Sequence, residues 1–221
     1  MNKTIEPPAF YLFETMYGSR AEGLRYLDRH LTRLAGSAHD LGFKFDILQA
    51  RRDAQEFCSG LTPEVPHRVR LSLERSGQIR LQSTPIEPLK TEPVKILRAP
   101  EWGFLPRNSQ DPFLLHKTSL RDDYDRSWKL AESHKAFDML FCNERGELTE
   151  GGRSNVFLRI DGGICTPPLG SGLLPGIMRA VLLENSQFGA AERVLLFSDL
   201  ERAEEIIICN SMRGVLRAVL G

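Results

Sequence analysis

An α+β fold with mixed β-sheets and flanking helices, arranged in two lobes, is what this sequence predicts. Three observations lead there. Apolar residues recur at helical spacing in some stretches and alternate as in strands in others. The strand candidates are joined mostly by short glycine-bearing turns, which make hairpins rather than the crossovers of a purely parallel sheet. A stretch with Pro100, Gly103, Pro106 and Pro112 interrupts both patterns near the middle, and connections of this kind divide lobes or carry function. The expected division is a small amino-terminal lobe at 1–98, a connecting loop at 99–112 and a larger lobe at 113–221.

The elements follow in order. Phe10 to Tyr17 is aromatic and β-prone and is closed by Gly18-Ser19, so it reads as a strand, with Leu24 to Tyr26 as a hairpin partner. Leu27, Leu31, Leu34, Ala38 and Leu41 have helical spacing, and Gly42 ends that helix. Asp46 is placed to cap a second helix running to Phe57. Arg68 to Glu74 and Gln78 to Ser83 form a hairpin about Ser76-Gly77, and Val94 to Leu97 is a further strand. Beyond the loop come a helix from about Leu120 to Lys135 and strands at Phe137 to Cys142, Leu148 to Ile160 and Ile164 to Thr166. A helix from Ile177 to Ser186 follows, and strands at Val194 to Phe197 and Glu205 to Cys209 close the reading.

Composition removes several function classes. The 221 residues are 41% hydrophobic, enough for a core, and 29 basic residues balance 29 acidic ones. Zero formal charge argues against bulk attraction to nucleic acid. No apolar run approaches the roughly 20 residues of a membrane helix, and MNKTIEPPAF lacks the apolar core of a signal peptide. Cys58, Cys142, Cys165 and Cys209 are scattered without a CxxC pair. They read as buried thiols of a reducing, cytoplasmic protein, not as a disulfide frame or a metal site.

Four constellations carry candidate chemistry. In TEGGRSNVFLRIDGGICTPPLGSGLLPGIMR, from Thr149 to Arg179, the carboxylate of Glu150 precedes an extended run. A turn and a short strand then lead through Leu174-Pro175-Gly176 to a helix start. Unpaired N–H groups and the helix dipole favour an anion there, although such starts are also commonly just capped or solvated. Lys117 lies between the apolar pair Leu114-Leu115 and a helix. Burial there would disfavour its charged form and make it an amine nucleophile and base; an ordinary surface lysine has the same surroundings in sequence. Arg29 and Arg33 are one helical turn apart, a spacing that suits an anion clamp as well as a solvated charged face. Lastly, Ile206 to Gly214 runs from a buried strand into small polar residues, where ligands of mixed sheets often bind.

Arg33 in RHLTRL, the lysine of HKTSLRDDYD, the TEGGRSNVF strand, the TPPLGSGLLPGIMR loop and the CNSMRGV segment occur in one order. In that order, over nearly the whole chain, the sequence resembles the class IV pyridoxal-phosphate aminotransferases. FETM, KTSLR, NERGELTEGGRSNVF and ICNS lean toward the aminodeoxychorismate lyases of that group. The resemblance implies the two-lobed fold type IV and pyridoxal 5'-phosphate as cofactor. Lys117 would form the Schiff base, and Glu150 would pair with the pyridine nitrogen. Arg33, the amides of Ile177 and Met178, and Ser211 would hold the phosphate, with Ser154, Asn155 and Met212 completing the cofactor site. Thr15 matches a threonine position of the lyases. Arg70 is a candidate for a substrate carboxylate, with Arg68 and Arg121 as rivals.

The resemblance also implies a homodimer acting on a small-molecule substrate. Its leading implied activity is a 4-amino-4-deoxychorismate lyase that yields 4-aminobenzoate and pyruvate for folate synthesis. A transaminase of amino acids or amines shares every cofactor contact, and a non-catalytic cofactor-binding homologue is the third reading. The chain starts almost at the first strand, whereas family members usually begin with a further hairpin, so a more open site or a covering partner subunit is expected.

Overall fold

The computed structural model describes residues 10–89 and 92–221. The stretch 1–9, read above as lacking a signal peptide's core, lies outside the described residues.

Two sheets organise the molecule. The first is antiparallel, with strand order β2-β1-β3-β4. It consists of β1 (Leu12–Ser19), β2 (Gly23–Leu24), β3 (His67–Leu73) and β4 (Ile79–Pro85). Alternation along β1 sends Leu12, Glu14 and Met16 to one face and Phe13, Thr15 and Tyr17 to the other. Helices α1 (Leu27–Leu41) and α2 (Ile47–Ser59) cover the first face, where Leu12, Met16, Leu31, Leu34, Ala38, Leu71 and Leu73 form the core. Gly42 ends α1 in the left-handed region at φ 70°, its N–H bonding back to the last turn, a conformation that costs glycine nothing. Asp46 caps α2 by accepting from the amides of Leu48 and Gln49 at 2.9 and 3.0 Å.

The second sheet has eight strands: β5 (Val94–Arg98), β6 (Asp138–Cys142), β7 (Leu148–Gly151), β8 (Asn155–Ile160), β9 (Gly163–Thr166), β10 (Ala190–Glu192), β11 (Glu205–Asn210) and β12 (Gly214–Leu220). Their order is β10-β9-β8-β11-β12-β5-β6-β7, and β7 also pairs with β8. Six strands thus close into a ring, and β9 and β10 extend from β8 outside it. Its interior is filled by Ile96, Leu140, Leu148, Val156, Leu158, Ile208 and Leu216. The closing register is one pair, Glu150 opposite Asn155. Helices α3 (Asp122–Ser133), α4 (Ile177–Glu184) and the short α5 (Asp199–Arg202) pack around the ring.

Several expectations are corrected. Val94 to Leu97, assigned to the first lobe, forms β5 between β12 and β6 in the second sheet. The change of sheet therefore falls between Pro85 and Val94, not at 99–112. That loop instead contains a 3-10 turn at Ala99–Trp102, and a second 3-10 turn follows at Pro112–Leu115. The single strand expected over 148–160 is two, separated by residues 152–154. Val194 to Phe197 is not a strand; it makes only an isolated bridge, Leu196 to Glu147. The neighbouring β10 pairs in parallel with β9 instead, and β12 was not expected at all. All four cysteines are buried free thiols.

Candidate active site

Between the two sheets lies a cavity of about 240 Å³. It takes Thr15 and Arg70 from the first sheet and Arg33 from α1. From the second sheet and its loops come Lys117, Arg121, Glu150, Ser154, Asn155, Ile177, Met178, Ser211 and Met212. Every residue that the resemblance offered for cofactor or substrate thus lines one cavity, although the two ends of that set are almost 200 residues apart in the chain.

Lys117 is held by backbone pairing. The amide of Phe13 donates to the Lys117 carbonyl at 3.0 Å, the Ser119 amide donates to the Tyr11 carbonyl at 2.9 Å, and Thr118 bridges Leu12. The 3-10 turn before it thus delivers the lysine across the edge of the first sheet. Its Nζ lies 4.8 Å from the centre of the Phe13 ring. Burial, with Arg121 and Arg33 nearby, lowers its pKa to about 7, because each disfavours a further positive charge.

Glu150 sits at the ring closure, where burial raises its pKa to about 7. Tyr124 Oη donates to Glu150 Oε1 at 3.1 Å, and Asn155 Nδ2 donates to Oε2 at 3.3 Å. The Tyr124 hydroxyl is itself held well above its ordinary range by burial and then by Glu150, so it stays a donor.

Helix α4 begins at the cavity with no side-chain cap on its first amides. Gly176 precedes it, and a Cβ there would stand 1.8 Å from Asn155 Oδ1, so the loop can lie this close only with glycine. Arg33 reaches the same corner: its Nη1 donates to the Pro175 carbonyl at 2.9 Å.

The structure also gives several of these residues partners that sequence reading missed. Arg33 Nε and Nη2 form a fork onto Glu14 at 2.9 and 2.6 Å, and Glu14 is buried. His30 Nδ1 lies 2.7 Å from Glu14 Oε2. A carboxylate only accepts, so Nδ1 carries the proton; burial lowers the His30 pKa and keeps the ring neutral. Burial alone would raise the Glu14 pKa, but Arg33 and His30 bring it down to about 2. Of the two readings left open for Arg29 and Arg33, the anion clamp does not form, since Arg29 pairs with Glu184 of α4 at 2.6 Å. Ser154 Oγ donates to buried Asp138 at 2.6 Å, and the Met212 amide donates to Asn210 Oδ1 at 3.1 Å. Ser211 Oγ donates to the Thr15 carbonyl at 3.1 Å, joining the sheets. Arg121 is held by Asp125 at 2.8 Å and by the Gly152 carbonyl.

A family model described as amino-transferase class IV matches residues 11–220. The chain belongs to the class IV aminotransferases. It is an enzyme of a pyridoxal-phosphate family, and its cofactor is pyridoxal 5'-phosphate. A Schizosaccharomyces pombe protein provisionally named aminodeoxychorismate lyase is 32% identical over 95% of this chain and 89% of its own length. A Mesorhizobium loti structure provisionally named an amino-acid aminotransferase is 36% identical, with a TM-score of 0.83 over 96% of this chain and all of that one. A PLP-bound aminotransferase from Brucella abortus, 20% identical, has the same fold, with a TM-score of 0.81 over 95% of this chain and 80% of its own.

The residues present fit such a cofactor. The cavity holds a buried lysine pushed toward its neutral amine and a buried carboxylate that holds a proton near neutrality. At one corner an uncapped helix start adjoins an arginine, a pairing suited to phosphate. Among the described residues no group of His, Cys, Asp or Glu could hold a metal, and no helix is long and apolar enough to cross a membrane.

Proposed function

We propose that this class IV enzyme is a lyase that converts 4-amino-4-deoxychorismate to 4-aminobenzoate and pyruvate. The observation that carries the reading is the match to the fission-yeast protein named for that reaction, which spans 95% of the chain. The cavity agrees with it: six arginines line it, suiting a substrate with two carboxylates.

Each residue has a role in this reading. Arg33, the first amides of α4 at Ile177 and Met178, and Ser211 would hold the phosphate. Asn155 and Tyr124 orient Glu150, which would share its proton with the ring nitrogen of the bound cofactor. Ser154 acts through Asp138 to fix the turn behind Glu150. Bound pyridoxal 5'-phosphate supplies the electron sink for the carbanion at the substrate's amine-bearing carbon. Lys117, whose burial favours the neutral amine, removes the proton from that carbon. The C–O bond to the neighbouring carbon then breaks, the ring becomes aromatic, and the enolpyruvate released tautomerises to pyruvate. Thr15 lines the cavity from the face of β1 opposite Glu14, placed to touch the substrate. A homodimer is part of the same reading, and light scattering should give twice the 25.0 kDa chain mass.

A second reading, a transaminase, is favoured by the 36% identity to the Mesorhizobium protein. The test is fluorescent 4-aminobenzoate release from aminodeoxychorismate, generated by its synthase, with no keto acid added. Product that depends on the enzyme and disappears with Lys117→Ala supports the lyase. A holoenzyme that gives no product until a keto acid is supplied, or none at all, overturns it. Lys117→Ala should also lose the visible absorbance band of the lysine-bound cofactor.

A further inference from the structure

Of the six arginines lining the cavity, four have their guanidinium groups committed. Arg33 is forked onto Glu14, and Arg107 pairs with Asp123 at 2.8 Å. Arg121 is held by Asp125 and Gly152, and Arg153 Nε donates to the Phe137 carbonyl at 3.0 Å. The remaining two, Arg68 and Arg70, lie on one strand, β3, at positions i and i+2. Such residues share a sheet face, with Cα atoms about 6.8 Å apart.

That face turns away from the α1 and α2 core. Val69 and Leu71 are fully buried on the opposite side, while Arg70 stands opposite Thr15 and Arg68 opposite Tyr17 on β1. Arg70 is steadied by the Phe13 ring at 3.8 Å and by the Tyr11 hydroxyl at 3.3 Å. Phe13 is also the ring that Lys117 approaches, so one ring stands against both Arg70 and the reacting lysine. Arg68 is one step further toward solvent. Among the described residues neither arginine pairs with a carboxylate. Leaving two adjacent cations without a counter-charge costs stability by mutual repulsion, and a bound dianion relieves it.

We infer that Arg68 and Arg70 together form a two-carboxylate seat: Arg70 takes the carboxylate nearer the reacting carbon, and Arg68 takes a second one toward the mouth. The enzyme therefore selects dicarboxylate substrates over monocarboxylates. This assignment deepens the lyase reading, which also needs a doubly charged substrate, but it does not require that reaction. A transaminase with this seat would select dicarboxylic donors or acceptors.

The test uses the holoenzyme and reads binding, not turnover. Isophthalate and benzoate, a dicarboxylate and a monocarboxylate on the same ring, are titrated while the cofactor's visible band and protein fluorescence are followed. The wild type should bind isophthalate at least about tenfold more tightly than benzoate, the range for a charge-assisted guanidinium–carboxylate contact. Arg68→Gln should remove most of that preference and leave benzoate affinity unchanged; Arg70→Gln should weaken both ligands. The inference is overturned if the wild type binds both ligands equally, or if Arg68→Gln leaves the preference intact or weakens both ligands in parallel. A protein that keeps the preference but releases no 4-aminobenzoate refutes the lyase reading alone.

Discussion

Lys117 and Glu150 share a cavity, and burial pushes each toward its neutral form, to about 7 in both cases. Their linkage to folding has opposite signs. Glu150 has a raised pKa, so its stability is fully present below 4.5 and is lost as pH rises toward 7. Lys117 has a lowered pKa, so its cost is greatest below 7 and vanishes as pH rises toward 10.5. The cofactor-free enzyme should therefore gain stability from Glu150→Gln on the order of 3 kcal/mol at about pH 8 and little near pH 4.5. Thermal scans of the apoenzyme at the two pH values check this, and the same variant should lose turnover. Glu14 runs the other way. Its pKa is lowered to about 2, so its contribution is present above 4.5 and lost as pH falls through 2. Glu14→Gln should flatten the acid limb of the stability curve across that window by about 3 kcal/mol and loosen cofactor binding by freeing Arg33. Denaturant titrations between about pH 2 and pH 5, and cofactor titration by fluorescence, measure the two effects. Lys117 and Glu150 stood out in the sequence through the segments around them. Glu14 did not, because a carboxylate in FYLFETMY looks like a surface residue. The period-2 count that places it with Leu12 and Met16, facing His30 and Arg33, was available.

The decisive elements are the β7–β8 closure and the uncapped start of α4, and both depend on glycines in close quarters. A Cβ on Gly151 would come within 2.4 Å of Asp138, and one on Gly176 would overlap Asn155. Gly176→Ala must displace Asn155, which holds both Glu150 and the Leu174 carbonyl. Its cofactor affinity should fall by roughly tenfold or more, and the apoenzyme should lose about 1–3 kcal/mol of stability from the overpacking; equilibrium cofactor titration measures the first and denaturant titration the second. These elements were legible because glycine, proline and helical spacing mark them locally. The misread ones depend on tertiary pairing. Val194 to Phe197 has strand composition, but Leu195 joins the ring core while Val194 and Leu196 stand about half exposed, so the run makes one antiparallel bridge beside the start of β7 instead of a ladder. Ala190–Glu192 has no strand signal of its own and pairs because β9 offers an edge. In β12 the outward Val215 and Val219 hide the alternation with buried Leu216 and Ala218.

Across the whole molecule, the cavity is where the two sheets are fastened to each other. Lys117 pairs with β1, Ser211 reaches the Thr15 carbonyl, and Arg33 reaches Pro175. The pair between Arg29 and Glu184 also spans the sheets but is exposed, so salt screens it and Arg29→Ala should change the thermal midpoint little. The buried fork of Arg33 on Glu14 is shielded from solvent and keeps its strength in salt. A cofactor held by groups from both sides would couple the sheets further. At a free concentration one hundred times its dissociation constant, it adds about 2.7 kcal/mol to stability. The phosphate should carry much of that coupling, since Arg33 belongs to the first sheet's layer and α4 to the second. In the proposed arrangement, pyridoxal lacking the phosphate would still react with Lys117 but would not bridge Arg33 and the α4 amides. In calorimetry, pyridoxal 5'-phosphate should raise the midpoint and sharpen unfolding into one transition. Pyridoxal at equal occupancy should give a smaller rise, and Arg33→Ala should reduce the difference between the two. Equal rises from both compounds would mean that the lysine bond alone stabilises the protein and that the corner of Arg33 and α4 does not hold the phosphate.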